Sequence, residues 1–509
     1  MFIDESTKTK LREIVAETLY KTDERSPEER RAAGEALRET VPLGSHATWS
    51  APEDRPDPVA LLKEQGESRL QELLPLRYER MGVSAFTFYR GGALIMASDL
   101  SNTPATGINV QACGDAHISN FGLFSSPERR TVFDINDFDE TSIGPWEWDV
   151  KRMAASVEIC GLDRGFSKKE RKEAVLASVR GYRESMLEFA AMGNLDVWYA
   201  HIDIDEVTSA FEDKMTKKEK KQAAKAIGKA KSKNSTRAIA KLTEVVDGKL
   251  RIISNPPIVI PLRDMASAAK SAPWIKLLDT EKIVKLVLAA YRKTLSPDKQ
   301  MLIRQYQGID SAIKVVGVGS VGTRAFIIVM QGAGCEDPLV LQIKEAQESV
   351  LERFCGKSNA EQHGQRVVEG QRAMQTASDI LLGWCRLPGV DGKTRDYYVR
   401  QLWDGKGSVD LERIDAKHLA IYARACGRTL AHAHARTGDR FGIAGYLGTT
   451  DEFDKAIAKF SRAYAAQNEA DYARFQEAIA QGELQATMIL PANESEQKLQ
   501  GKSQSAESE

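Results

Sequence analysis

Apolar positions change period several times along this chain, and each change predicts a different element. Residues 1–40 are charged and helix-prone, with Pro27 and Gly34 as breaks. Residues 42–58, rich in Pro, Ser and Asp, predict an irregular loop, and helical spacing returns from Val59 to Leu74. Ser84–Leu100 mixes aromatics, Gly91-Gly92 and an apolar helix-like run. Phe121–Phe124 and Thr131–Ile135 flank a Ser-Ser-Pro-Glu turn and predict a small hairpin. Trp146–Leu187 reads as helix. Near residue 311 the texture changes: Ile313–Val318, Ala325–Met330 and Pro338–Lys344 are β-branched or apolar runs, expected as strands. Residues 359–381 predict helix, Tyr397–Leu402 a strand, and Ala416–Ala435 a helix with small residues at Ala423, Ala425 and Gly427. The Gln-, Ser- and Glu-rich end, from about 481, is expected to be disordered.

A chain of 509 residues is long enough for two to four domains. The shifts in pattern divide it into an N-terminal helical extension (1–83), a mainly helical segment (84–310), a β segment (311–405), returning helices (406–480) and the tail (481–509). With 42% hydrophobic and 28% charged residues the composition is that of a globular protein, and the net charge of −1 offers no basic excess for nucleic acid or anionic membrane. Nine lysines crowd into 214–233, read as a solvated face or connector. The cysteines at 113, 160, 335, 355, 385 and 426 form no CxxC pair, which points to a reducing compartment rather than a disulfide framework. Met1–Glu5 has neither a basic nor an apolar leader segment, and no apolar run suffices to span a bilayer. No membrane association and a cytoplasmic location are expected.

Two loops carry the densest chemistry. The first is Gly114-Asp115-Ala116-His117-Ile118-Ser119-Asn120, and the second is Asp134-Ile135-Asn136-Asp137-Phe138-Asp139. Asp115 precedes Asn120 by five residues, and Asp137 lies seventeen further on. A base, an amide and a carboxylate in that order suit metal-assisted phosphoryl transfer. Asp115 would accept or orient a hydroxyl proton, while Asn120 and Asp137 would hold Mg2+, a hard cation that takes oxygen ligands. Asp134 and Asp139 rival Asp137, and strand alternation allows only one set to reach the site. His117 is a ligand or a buttress of its loop. Arg90 contacts a phosphate, compensates the acids or forms a structural salt bridge. His432 and His434, two apart on a helix, point to different faces and are poor co-ligands.

Between the first two strands of the β segment lies Gly317-Val318-Gly319-Ser320-Val321-Gly322-Thr323. Without Cβ atoms, such a loop lets backbone N–H groups approach phosphates, although a simple hairpin turn has the same composition. The next run ends in Lys344, where a kinase-like lobe holds its phosphate-binding cation. A helical glutamate should orient that lysine; Glu361 and Glu369 are available, and the apolar neighbours of Glu369 favour it.

Together these residues resemble the aminoglycoside phosphotransferase branch of the protein-kinase-like superfamily. The carriers are Cys113–Asn120, Asn136-Asp137-Phe138-Asp139 and Trp148-Asp149, with twelve residues from Asp137 to Asp149. The resemblance implies ATP and Mg2+ as cofactors, and Asp149 as a brace for the catalytic loop. It also implies an α+β, two-lobed kinase-like fold with a mainly helical larger lobe and a small antiparallel-sheet lobe. The motif order is reversed: the catalytic loop precedes the glycine loop, lysine and hinge strand, as in a circular permutation. From about Pro58 to Leu447 the chain is also similar to an uncharacterised bacterial family, domain of unknown function 2252, through Phe86–Gly91, Gly114–Gly122, Phe133–Thr141 and Trp146–Asp149. The expected activity is phosphotransfer from a nucleotide triphosphate to an unknown small-molecule or protein acceptor. Alternatives are a nucleotide-binding pseudokinase-like regulatory module and a metal-dependent phosphoesterase. The last would use Asp115-Ala116-His117 with Ala431-His432-Ala433-His434.

Overall fold

The computed structural model describes residues 25–203, 228, 235–246, 249–256, 258–264, 280–315, 317, 319, 321–334, 337–388, 393–402 and 407–486. Ser320, the tail from 487, and all of the lysine-rich stretch but Gly228 lie outside these residues.

The chain opens with α1 (Pro27–Ala36), α2 (Pro58–Gly66), α3 (Leu74–Met81), α4 (Ala85–Gly91) and α5 (Ala93–Leu100). Ser26, Asp57 and Ser84 cap α1, α2 and α4 by accepting from first-turn N–H groups. Four short strands follow: β1 (Asn109–Ala112), β2 (Phe121–Ser125), β3 (Thr131–Ile135) and β4 (Ser142–Pro145). The expected hairpin forms with Phe121 opposite Ile135, and β1 pairs with β4. The helix expected over Trp146–Leu187 is two helices, α6 (Trp146–Asp163) and α7 (Lys168–Ala190), because Gly165 turns the chain at φ +70°. Next come α8 (Asn194–Tyr199), β5 (Ile202–Asp203), α9 (Ser235–Leu242), β6 (Thr243–Val246), β7 (Lys249–Ile252) and β8 (Val259–Pro261).

After α10 (Thr280–Arg292) and α11 (Pro297–Ile303), the chain builds a sheet from β9 (Gln307–Lys314), β10 (Ala325–Gln331), β11 (Pro338–Ala346), β12 (Gly383–Pro388) and β13 (Thr394–Gln401). The strand order is β12-β13-β11-β10-β9-β8, antiparallel throughout. Strand β9 starts six residues before the expected Ile313. Its polar first half is tolerated because β8 pairs only with Ala312–Lys314. Residues Ile328, Met330, Leu339, Leu341 and Ile343 pack with α10 on one face, and Ile327, Val329 and Val340 pack with α9 on the other. Burial on both faces explains the near-continuous apolar runs of β10 and β11.

Between β11 and β12 lie α12 (Glu352–Cys355) and α13 (His363–Met374). The helix expected over 359–381 is this shorter α13, since Gln375 is extended (ψ 140°) and its amide donates to Ile135 O. The chain closes with α14 (Ala416–Thr437), α15 (Arg440–Leu447) and α16 (Glu452–Ala480). These helices share one large core with α2–α7 and β1–β3, which includes Val59, Leu62, Phe88, Trp146, Val150, Tyr182, Leu430 and Phe460. The architecture is a mixed α+β one with several antiparallel sheets. No helix among the described residues is long and apolar enough to cross a membrane.

Candidate functional site

The loop after β1 is fixed from below by α6. The Asp149 carboxylate, in the first turn of α6, accepts from Cys113 N at 2.6 Å and Gly114 N at 2.9 Å. It lies 3.1 Å from His434 Nε2 on α14, and His434 Nδ1 is 2.9 Å from Tyr182 OH. Asp149 therefore braces the loop. Gly114 is obligatory here: its φ is +78°, and a Cβ would stand 2.3 Å from Glu140 O. Asn120 Nδ2 donates to Asp115 O at 2.8 Å, and Asn136 N donates to Asn120 O at 2.9 Å, tying the two acidic loops together.

Three residues beyond Asp149 on the same helix, Arg152 reaches Asp115. Its Nε donates to Asp115 Oδ1 at 2.6 Å, and its guanidinium stacks over the Tyr89 ring at 4.4 Å. Burial raises the pKa of Asp115, and Arg152 opposes the rise. His117 Nε2 is 3.7 Å from Asp115 Oδ2, too long for a hydrogen bond, and burial, with Arg90 and Arg152 nearby, lowers its pKa well below the ordinary imidazole value.

The sheet supplies the opposite wall. Cross-strand register sets Lys344 beside Tyr398 and Gln342 beside Arg400, so all four share one face. Lys344 Nζ donates to Asp139 Oδ2 at 2.6 Å and lies 4.0 Å from Asp137 Oδ1, while Tyr398 OH donates to Asp139 Oδ1 at 2.6 Å. Burial disfavours the ammonium, but Asp137 and Asp139 outweigh it and raise its pKa. Arg400 donates to Gln342 Oε1 and Asn136 O.

A cleft of about 540 Å³ lies beside these residues, lined from the sheet by Glu345, Ala346, Arg395 and Asp396; Lys344, Tyr398, Gln342 and Arg400 are not part of its lining. Asp115, His117, Asn120, Asp137 and Asp139 line one side, Gly317, Gly319 and Thr323 line another, and Arg90 enters from α4. The glycine-rich loop is anchored from outside. Arg69 donates to Gly319 O and Val321 O, Leu70 N donates to Gly322 O, and Arg80 donates to Gly317 O, at 2.6–2.8 Å. Gly322, at φ +91°, is thereby held on the anchored side.

Two expected site residues stand elsewhere. Glu369 is exposed on α13 and accepts from Gln365 at 2.8 Å; the partner of Lys344 is Asp139. The buried residues Arg366, Val367, Val368, Gly370, Gln371 and Met374 occupy one face of α13, and at 100° per residue Glu369 falls opposite them. Asp134 is buried outside the cleft lining, with Oδ1 accepting from Ile135 N at 2.8 Å; burial pushes its pKa up to about 7. Asp134 sits within β3, whereas Asp137 and Asp139 lie in the loop after the strand ends at Ile135, and that loop lines the cleft. His432 bonds to Val197 O and His434 to Asp149, so neither histidine faces the cleft.

Sequence reasoning missed Arg152, Tyr398 and Arg400. Arg152 carried a signal, since at i+3 from Asp149 it shares that residue's helix face. Tyr398 and Arg400 needed the register between β11 and β13, which no local pattern supplies.

The chain belongs to a family of uncharacterised proteins conserved in bacteria, domain of unknown function 2252, whose family model matches residues 69–478. No curated protein matches the chain, and no solved structure does. The match covers α3 through most of α16 and includes every residue of the cleft named above.

Proposed function

We propose that this protein is an ATP- and Mg2+-dependent phosphotransferase of kinase-like, circularly permuted build, acting on a small-molecule or protein acceptor. One observation carries the reading. Lys344 lies 2.6 Å from Asp139 and 4.0 Å from Asp137, two carboxylates that line the cleft beside the glycine-rich loop, so two motif sets about 200 residues apart in sequence meet at the edge of one cleft. The order around the sheet also supports it: glycine loop between β9 and β10, lysine on β11, helix α13, then β13 as the hinge strand.

In this reading Asp115 accepts or orients the acceptor hydroxyl proton, and its raised pKa brings it closer to the working range of a general base. Arg152 fixes its orientation. Lys344 and Gly317, Gly319 and Thr323 receive the nucleotide phosphates. Asn120 and Asp137 fit magnesium by donor type, an amide and a carboxylate oxygen facing one cleft. Among the described residues no three His, Cys, Asp or Glu side chains form a metal-ion cluster. Magnesium needs none when phosphate oxygens and water complete its shell. Bound magnesium supplies charge neutralisation on the phosphoryl group in flight. The phosphoesterase alternative depends on His432 and His434, and their positions away from the cleft weigh against it.

Calorimetry of ATP with magnesium tests the proposal beside Lys344→Ala and Asp137→Asn. Binding by the folded wild type that is lost in both variants supports it. A folded wild type that does not bind refutes it. Binding without turnover over a broad acceptor screen would favour the pseudokinase-like alternative.

A further inference from the structure

The cations lining the cleft differ in how they are satisfied. Arg69 donates to Gly319 O and Val321 O, Arg353 pairs with Glu64 at 2.8 Å, and Arg395 lies 3.5 Å from Glu345. Arg90 is the exception. Its Nε, like that of Arg69, is buried without a hydrogen-bond partner, but unlike Arg69 it makes no other hydrogen bond and no ion pair among the described residues; Asp115 and Glu412 act on it only at longer range. Its neighbour Asp115 is already paired with Arg152 at 2.5 Å. A buried guanidinium Nε without an acceptor is costly, and such groups recur where a ligand completes the pairing.

The position of Arg90 indicates what that ligand is. It is the penultimate residue of α4, in the cleft wall, close enough to Asp115 and His117 to influence both electrostatically. Its carbonyl stands 3.4 Å from where a Cβ on Gly319 would sit, so the main chain of Arg90 abuts the glycine-rich loop. Arg90 thus lies between the loop that would hold the donor phosphates and the carboxylate that would meet the acceptor. Beside it, His117 is 4% exposed, with Nδ1 buried and unpartnered. A planar guanidinium matches phosphate geometry with paired N–H donors.

We infer that Arg90 forms an oxyanion subsite beside Asp115, built to take a phosphate-type group. It deepens the proposed function, and the oxyanion has two possible sources: the terminal phosphoryl group of the nucleotide, or an anionic group on the acceptor.

The experiment uses the full chain and inorganic phosphate, with no nucleotide present, and reads affinity by calorimetry in wild type, Arg90→Gln and Arg90→Met. The two substitutions remove the charge and keep most of the stem's packing, so one serves if the other does not fold. Saturable phosphate binding by wild type, weakened at least about tenfold in a folded variant, supports the subsite. No phosphate binding by wild type, or equal binding in a folded variant, overturns it. ATP and ADP titrations then assign the source. Weaker ATP binding with unchanged ADP binding in the variant assigns the subsite to the nucleotide. Phosphate binding that persists in ADP-saturated wild type and is lost in the variant assigns it to the acceptor. A wild type that binds phosphate but neither nucleotide keeps the subsite and removes the ATP reading.

Discussion

Lys344 and Asp139 form an ion pair at 2.6 Å across a 205-residue separation in sequence. Lys344 is almost fully buried and Asp139 is 29% exposed, so the pair is screened on one side only. Removing Asp139 leaves Lys344 with only Asp137 as an ion-pair partner, at 4.0 Å. Asp139→Asn should therefore lower stability by about 1–3 kcal/mol, below the range for a fully buried pair. In a double-mutant cycle with Lys344→Met the losses should be non-additive, as read by urea unfolding. Additive losses would mean that the contact contributes nothing to the fold.

Under the proposed function, Asp115→Asn should leave ATP binding within about threefold of wild type and lower turnover by about 10²–10³. Asp137→Asn should abolish metal-dependent nucleotide binding itself. Identical profiles in the two variants would show the roles to be wrongly divided.

Asp134 predicts a pH dependence. Its folded pKa of about 7 lies above the ordinary carboxyl value near 4, so the folded state holds a proton that the unfolded state has released. Its contribution is fully favourable at acid pH and declines as pH rises from about 4 to 7. The decline is about 1–4 kcal/mol. Asp134→Asn should flatten that slope in urea-unfolding series and leave nucleotide binding unchanged. A loss of metal-dependent binding would instead make Asp134 a ligand.

Arg69 is a positioning residue for the glycine-rich loop through Gly319 O and Val321 O. Arg69→Met should cost about 1–3 kcal/mol by leaving two carbonyls without their donors. It should also speed amide exchange in the peptide spanning 317–323. Triphosphate affinity should fall about tenfold or more. Arg69→Lys, which retains one donor group, should recover part of that affinity. Unchanged exchange in a folded Arg69→Met protein would show that the loop is held by other contacts.

Gly114→Ala combines a left-handed φ with a Cβ 2.3 Å from Glu140 O. The strain should destabilise the protein by about 2–4 kcal/mol or prevent folding. A thermal midpoint within a degree of wild type would contradict the geometry of the 114–140 contact.

Elements governed by local interactions were legible in sequence. The β2–β3 hairpin, the strand carrying Lys344 and helix α14 follow from period-2 or period-3.6 spacing, which is a property of neighbours along the chain. So did the composition of the cleft: Asp115, His117, Asn120, Asp137, Arg90 and the loop glycines were all visible as residue types at telling intervals. The partners of these residues were not. Apolar neighbours made Glu369 look buried, but the hydrophobic stripe of α13 turns it to solvent, and Asp139 takes its place beside Lys344. The spacing to Asp149 favoured Asp137 over Asp134, and the structure places Asp134 within β3, outside the cleft lining, and Asp137 on the loop that lines it. The match of Lys344 with Asp139, of Arg152 with Asp115, and the lack of one for Arg90 depend on how distant elements dock. Periodicity tells a side chain which face of its own element it occupies, whereas the opposing group is chosen by packing and desolvation across the whole core, and only the tertiary structure decides that.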